Sequence, residues 1–205
     1  WYEDEGRKLL HLGLGGNFRN PAQPANGSSR FRFRTDPEAT LLPNVADTGN
    51  FSAENAFLWN AEVGLVINSF SIQGEFFHAM VESNAANDPS FYGFNVYVSY
   101  FLTGEHRAYK KSAGAFSRVK VLENFLDGEG GMGAWEVAAR FSMIDLNDQN
   151  INGGEVWNLT VGLTWYLNDN TQVKLNYIYT NLDDQAGGSQ EGEAHIIGMR
   201  FQIDF

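Results

Sequence analysis

Arg30, Arg32 and Arg34 alternate with Phe31 and Phe33. Successive side chains of an extended strand point to opposite faces, so this spacing predicts three guanidinium groups on one face, ~7 Å apart, and both phenyl rings on the other. Three like charges in a row repel, and they stand together where anions or carboxylates compensate them. The planar fork of arginine suits phosphate and carboxylate, and stripes of Arg or Lys line anion pores. The stripe is therefore a candidate ladder for anions. The competing reading is structural: Glu62, Glu75, Glu136 and Asp204 are predicted on the same kind of face, would pair with the stripe, and would leave only a transverse field. Arg19, Arg140, Lys174 and Arg200 are further cations on polar strand faces. Each is a candidate for an anion pathway, although taken alone each is more readily a structural ion-pair partner.

Other reactive residue types form no constellation. His11, His78, His106 and His195 are scattered without metal-ligand spacing. Asp145, Asn147, Asp148 and Asn150 gather oxygens on a predicted loop, without the glycine and closing glutamate of a calcium-binding hand. A solvated loop explains them more simply, and Asp183 and Asp184 read the same way. No Ser or Thr stands in a nucleophile-elbow pattern, and the glycines at 128, 130, 131 and 133 lead into a strand rather than a helix. The sequence predicts no enzyme activity, no metal site and no cofactor.

The elements that must position the charged residues are strands. Alternation of apolar and polar residues recurs along the chain, while helical spacing persists nowhere. Residues 133–146 set Trp135, Val137, Ala139, Phe141 and Met143 against Glu136, Ala138, Arg140 and Ser142; residues 156–167 set Trp157, Leu159, Val161, Leu163 and Trp165 against Asn158, Thr160 and Thr164. Segments 9–19, 54–67, 70–81, 91–103, 171–180 and the last strand, ending at Phe205, alternate likewise, and 28–34 reads as a shorter strand. That makes about nine strands of roughly the length a tilted bilayer crossing requires. Their length, the aromatics near strand ends, and short turns (68–69, 168–170) alternating with longer polar connections (82–90, 146–155, 181–193) favour a transmembrane antiparallel β-barrel over a soluble sandwich. Segments 20–27, 37–53 and 104–132 take no clean assignment. With Phe205 on the periplasmic side, the tight turns and the long connection 104–132 fall on that side too.

Composition agrees. Mean hydropathy is −0.32, and no run approaches the ~18 apolar residues of a membrane helix. The net charge of −11 argues against nucleic acid as a partner. Cysteine is absent, so disulfides contribute nothing. The chain opens abruptly at Trp1 and carries too few strands for a large barrel, so it reads as the C-terminal portion, 1–205, of one barrel domain. Closing on Phe205 after an amphipathic strand is the ending that outer-membrane insertion machinery reads.

Several runs resemble the phosphate-selective porin O and P family: Leu102-Thr103-Gly104-Glu105 with Arg107, Tyr109 and Lys110; Gly133-Ala134-Trp135-Glu136 through Ser142; Gly162-Leu163-Thr164-Trp165-Tyr166-Leu167-Asn168; Arg200 to Phe205; and, upstream, Arg32-Phe33-Arg34 with Pro37-Glu38 and Asp47-Thr48-Gly49. The resemblance implies a bacterial outer-membrane barrel of sixteen strands, usually a homotrimer in the lipid bilayer, that passes small anions and other hydrophilic solutes through a basic constriction. Two expectations follow. One is a porin for passive diffusion, biased towards anions by the Arg stripe; the other is a plugged barrel acting as an envelope scaffold, in which 37–53 or 104–132 fills the lumen.

Overall fold

A computed structural model of the chain describes residues 1–21, 30–39, 41–128, 130–185 and 192–205. Eight long strands carry the architecture: β1 (Lys8–Arg19), β2 (Asn55–Ile67), β3 (Phe70–Glu82), β4 (Ser90–Phe101), β5 (Ala134–Asp148), β6 (Ile151–Asn168), β7 (Thr171–Gln185) and β8 (Gly192–Ile203). Each pairs antiparallel with the next in sequence, and the short strand Tyr2–Glu3 adds to β1, giving one nine-stranded meander. Among the described residues β1 and β8 are not paired to each other, so the sheet is open.

The period-two pattern divides this sheet into two unlike faces. One face is apolar and bare: Leu12 and Leu14 of β1 are 72% and 81% exposed, and Ile197 and Met199 of β8 are both 78% exposed. No second sheet covers it among the described residues, as a sandwich would require. Its aromatics form two bands. At one end Trp135 stacks on Trp165 with centroids 5.2 Å apart; towards the other end Phe141, Trp157 and Tyr179 follow one another across β5, β6 and β7, as Trp59, Phe76 and Tyr92 do across β2, β3 and β4. Trp157 and Trp165 share β6. The eight residue steps from one to the other, at ~3.3 Å each, span ~26 Å along the strand and ~20 Å in height once tilted by ~40°, close to the apolar band of a barrel.

The opposite face is polar in the middle and apolar at both ends. At the end remote from Phe205, Ala56, Val81, Phe91, Leu146, Val156 and Leu182 bury against Phe31, Phe33, Ala46, Phe51 and Ala53 of the β1–β2 connection. At the other end Phe101, Ala134 and Tyr166 bury against Val119 and Val121 of the β4–β5 connection. Two long connections therefore fold over this face from opposite ends.

The registers fix the ends. Ile67, Phe70, Phe101, Ala134, Asn168, Thr171 and Ile203 cluster at one end. The turns at 68–69 and 169–170, the connection 104–132 and the last strand thus lie together, as the strand directions require.

Two expectations need correction, and one unassigned segment gains a structure. Segment 28–34 is not a wall strand: its described part makes two two-residue pairs, Arg30–Phe31 with Phe51–Ser52 and Arg34–Thr35 with Ala46–Asp47. Its alternation is satisfied by a folded-over connection in which both phenylalanines pack on the apolar cluster. Residues 146–155 are not a loop. β5 and β6 run on to a two-residue turn, where Gln149 takes φ 53°, with a register shift between Asp145 and Asn147. Asp145 there accepts from the Asn147 N–H at 2.8 Å, Asn147 from the Gly154 N–H at 2.8 Å, and Asp148 from the Ser90 N–H at 2.7 Å. The segment 104–132, left without assignment from the sequence, contains a short hairpin, Tyr109–Lys110 paired with Ala115–Phe116. Segment 22–29 and most of 181–193 beyond β7 lie outside the described residues.

Candidate functional site: the polar belt between two folded-in connections

The belt is built by cross-strand neighbours. Arg140 of β5 lies opposite Thr160 of β6, and Lys174 of β7 lies between Thr164 of β6 and Arg200 of β8. All three cations project from the polar face, Lys174 half-buried and Arg200 exposed. Arg140 and Lys174 border a cavity of about 310 Å³ whose other lining includes Tyr97, Asn176, Asp36 and Glu38. The last two come from the β1–β2 connection, so a basic wall faces an acidic tip.

Glu38 touches that wall. It accepts hydrogen bonds from the Ser142 hydroxyl and, at 2.7 Å, from the Thr160 hydroxyl. An Arg140 nitrogen stands 3.4 Å from the same carboxylate. Its backbone sits at φ 57°, a left-handed conformation that costs a non-glycine residue about 1 kcal/mol or more and persists where surrounding contacts hold it. The sequence marks Glu38 only as part of the Pro37-Glu38 pair in the family resemblance, because its contacts are to residues 104 and 122 positions away.

The Arg stripe keeps its alternation and lies in the connection. Arg30, Arg32 and Arg34 are exposed. Asp47 compensates them: Arg32 donates to it, with Nε 2.8 Å from Oδ1, and Arg34 lies opposite it in register. The hydrogen bond from Arg32 holds the Asp47 carboxyl below its ordinary range, with burial opposing and the Gly49 N–H assisting. The acids named as partners for the stripe are engaged elsewhere. Glu62 meets His11 at 3.0 Å, Glu75 accepts from Asn95 at 3.2 Å, Glu136 binds Arg107, and Asp204 lies 3.5 Å from Arg118. Arg19 donates to Asn17 at 3.1 Å, at the end remote from Phe205. Phe205 is exposed.

A second cavity, about 390 Å³, lies under the 109–116 hairpin. His11 bridges the Tyr109 hydroxyl at 2.8 Å and Glu62 at 3.0 Å. Glu62 lies directly opposite Glu75 in register, and over Gly13, where any Cβ would overlap its carboxylate. Apart from Glu136 of β5, the polar face is thus segregated, with Glu62 and Glu75 on β2 and β3 and Arg140, Lys174 and Arg200 on β5, β7 and β8.

The β4–β5 connection is fastened by a buried network. Glu136, 1% exposed, accepts from Arg107, from the Tyr97 hydroxyl at 3.1 Å and from the Tyr166 hydroxyl at 2.7 Å. The guanidinium lies 5.8 Å and 5.5 Å from the ring centroids of Tyr97 and Phe101. Burial works to lower the Arg107 pKa, and Glu136, Tyr97 and Tyr166 together outweigh it, leaving it raised. Glu105, 2% exposed, accepts from the Thr103 hydroxyl and from the Leu122 N–H at 3.2 Å. The sequence marks Arg107 only within the run 102–110 that carries the family resemblance, and gives no sign of its pairing with Glu136.

Comparison with known proteins agrees with this geometry. The family described as phosphate-selective porin O and P matches residues 3–205. An uncharacterized protein of Caulobacter vibrioides is 27% identical over 203 residues, covering 98% of this chain and 40% of that protein. Porin O of Pseudomonas aeruginosa is 27% identical over 225 residues, covering 96% of this chain and 50% of that protein. The chain therefore spans half or less of the length of these relatives.

Proposed function

The chain belongs to the phosphate-selective porin O and P family, and from that premise we propose that it forms part of the wall of a bacterial outer-membrane porin through which small hydrophilic solutes diffuse passively, with a bias towards anions. The observation that carries the reading is the two-faced sheet: an exposed apolar face banded by aromatics, backed by a polar face with its own cavities. Such an apolar surface is costly in water and favourable in lipid. The open edges of the sheet point to further strands, since unpaired N–H and C=O groups in hydrocarbon cost several kcal/mol each. Barrel size, trimeric assembly and recognition of the last strand by the insertion machinery are carried over with the family.

The bias towards anions rests on Arg140, Lys174 and Arg200 along the wall, and on Arg30, Arg32 and Arg34 in the connection that folds over it. Diffusing anions would meet cations from both sides, and lumenal charge sets preference in such pores. The acids on β2 and β3 act against it. The test is the reversal potential of the full-length protein in a planar bilayer under a salt gradient. Anion selectivity that falls on replacing Lys174 and Arg200 by alanine supports the reading; cation selectivity overturns the bias and leaves a general porin.

A second reading has its own observation. Two connections cover the polar face from opposite ends and bury apolar clusters there, which is how a plugged, structural barrel would be filled. Absence of conductance from a correctly folded protein would favour it.

A further inference from the structure

The hydrogen bonds around Glu38 have a direction. The Thr180 hydroxyl donates to Asn158 Oδ1 at 2.7 Å, and the Asn158 amide donates to Ser142 Oγ at 3.2 Å. Thr180 and Asn158 are buried, at 2% and 5% exposure. Because Ser142 Oγ already accepts from Asn158, its own hydrogen is free to point out of the wall, and Glu38 is the acceptor it meets. Thr160 donates from the adjacent strand and Arg140 adds a positive charge. Two oriented hydroxyls and a guanidinium converging on one carboxylate make a cradle for an oxyanion. It is built on sheet strands, where position is rigid, and its present occupant is an oxyanion supplied by the chain itself.

We propose that Arg140, Ser142 and Thr160 form an oxyanion-binding subsite of the wall, and that Glu38 occupies it as a tethered competitor. The ligand class is a small oxyanion, carboxylate or phosphate, reaching the cradle through the cavity of about 310 Å³ that Lys174 also borders. The proposal rests on the porin reading only for the route by which such a solute arrives. Glu38 is then a specificity-determining residue. While seated it screens Arg140 and weakens the hold on passing anions; when displaced it hands three donors to the solute. The left-handed backbone at Glu38 fits a residue kept in place by its contacts, with strain relieved on release. A carboxylate tethered by the chain competes at an effective concentration of roughly millimolar or more, so a free oxyanion binds weakly while Glu38 is seated.

The experiment is calorimetric titration of the full-length protein in detergent with inorganic phosphate and, separately, with acetate. Glu38→Ala is expected to tighten binding of at least one of them by about tenfold or more over wild type, and Glu38→Ala combined with Arg140→Ala is expected to lose that gain. Should Glu38→Ala fold poorly, Glu38→Gln keeps the side-chain length, removes the charge, and is expected to tighten binding in the same sense by a smaller factor. Equal affinities in wild type and a folded Glu38 variant would overturn the proposal, as would a gain that survives loss of Arg140. Conductance of the same samples separates the two readings. Tightened binding in a protein that does not conduct keeps the cradle and removes the porin; normal conductance with unchanged binding does the reverse.

Discussion

Arg107→Ala is the substitution that most directly tests how the β4–β5 connection is held. Glu136, whose side chain is only 2% accessible beside Arg107, is left in the variant with two donors, the hydroxyls of Tyr97 and Tyr166. Removing one partner of a buried ion pair costs roughly 3–5 kcal/mol, most of it the penalty of the stranded charge. The two tyrosines still solvate the carboxylate, which places the expectation near the lower bound, at about 3 kcal/mol. Loss of the guanidinium over the Tyr97 and Phe101 rings is part of that figure rather than an addition. Urea unfolding in lipid vesicles, followed by tryptophan fluorescence, reads the loss. Limited trypsin digestion reads its location, because Lys110, Lys111, Arg118 and Lys120 all lie in the connection and become cleavable when it undocks. Arg107→Met with Glu136→Leu is expected to recover most of the stability, since an apolar pair of similar volume avoids the stranded charge; the tyrosine hydroxyls left without an acceptor keep it about 1–2 kcal/mol short. If Arg107→Ala lies within about 1 kcal/mol of wild type and trypsin cuts no faster, the network is not what docks the connection, and the apolar cluster with Val119 and Val121 must do so instead.

Three further outcomes follow from the same geometry. Val161 sits midway between Trp157 and Trp165 on the apolar face, so Val161→Arg is expected to destabilise the folded barrel by about 2–4 kcal/mol in vesicles; a shift near zero would mean that this face does not meet hydrocarbon. Gly133 holds φ 71°, and a Cβ there would overlap the Tyr166 carbonyl oxygen, so Gly133→Ala is expected to cost about 1–3 kcal/mol by urea unfolding. The Asp47 carboxyl is held low by Arg32, so its contribution is complete above the ordinary aspartate pKa of about 3.9 and is lost as pH falls through the lower folded value. Asp47→Asn should flatten that acid limb of the stability–pH curve, and an unchanged limb would show that the contact contributes nothing.

The strands were legible because each obeys a local rule. Alternation over 133–146 and 156–167 places Arg140, Ser142, Asn158 and Thr160 on one face before any coordinates are seen, and the register confirms every one of them there. The Phe-Arg alternation at 30–34 obeys the same rule with a different outcome. Phe31 and Phe33 need an apolar partner, and the partner is the far end of the polar face: Phe91, Leu146 and Val156. Those wall residues continue the polar phase of their strands while being apolar, and this departure from alternation is the sequence trace of a connection folding inwards. The same holds at the other end for Phe101 and Tyr166 beneath Val119. The loop expected at 146–155 is instead a tight hairpin, because its Asn and Asp side chains spend their oxygens on neighbouring backbone N–H groups and so sustain a strand end rather than a solvated loop.

What alternation could not reveal is which charge meets which. The acids placed opposite the Arg stripe by face alone are each engaged by a nearer partner, and the stripe is compensated by Asp47, fifteen residues along its own connection. Glu38 and Arg140 are 102 positions apart and belong to unrelated local patterns; their meeting depends on how far the connection reaches across the sheet, which the apolar clusters set. If the proposed porin reading holds, charge selectivity in such a wall would depend on the connections as well as on the strands. On the proposed porin reading, the strands fix where Arg140, Lys174 and Arg200 stand, while Asp36 and Glu38, which line the same cavity as Arg140 and Lys174, would set how much of that positive charge a solute encounters. A change of one residue at the tip of a folded-in connection alters the field while leaving the sheet and its lipid-facing surface untouched. On this argument, members of the family with the same wall pattern can differ in selectivity, and the residue aligned with Glu38 is the first position at which to look for the cause.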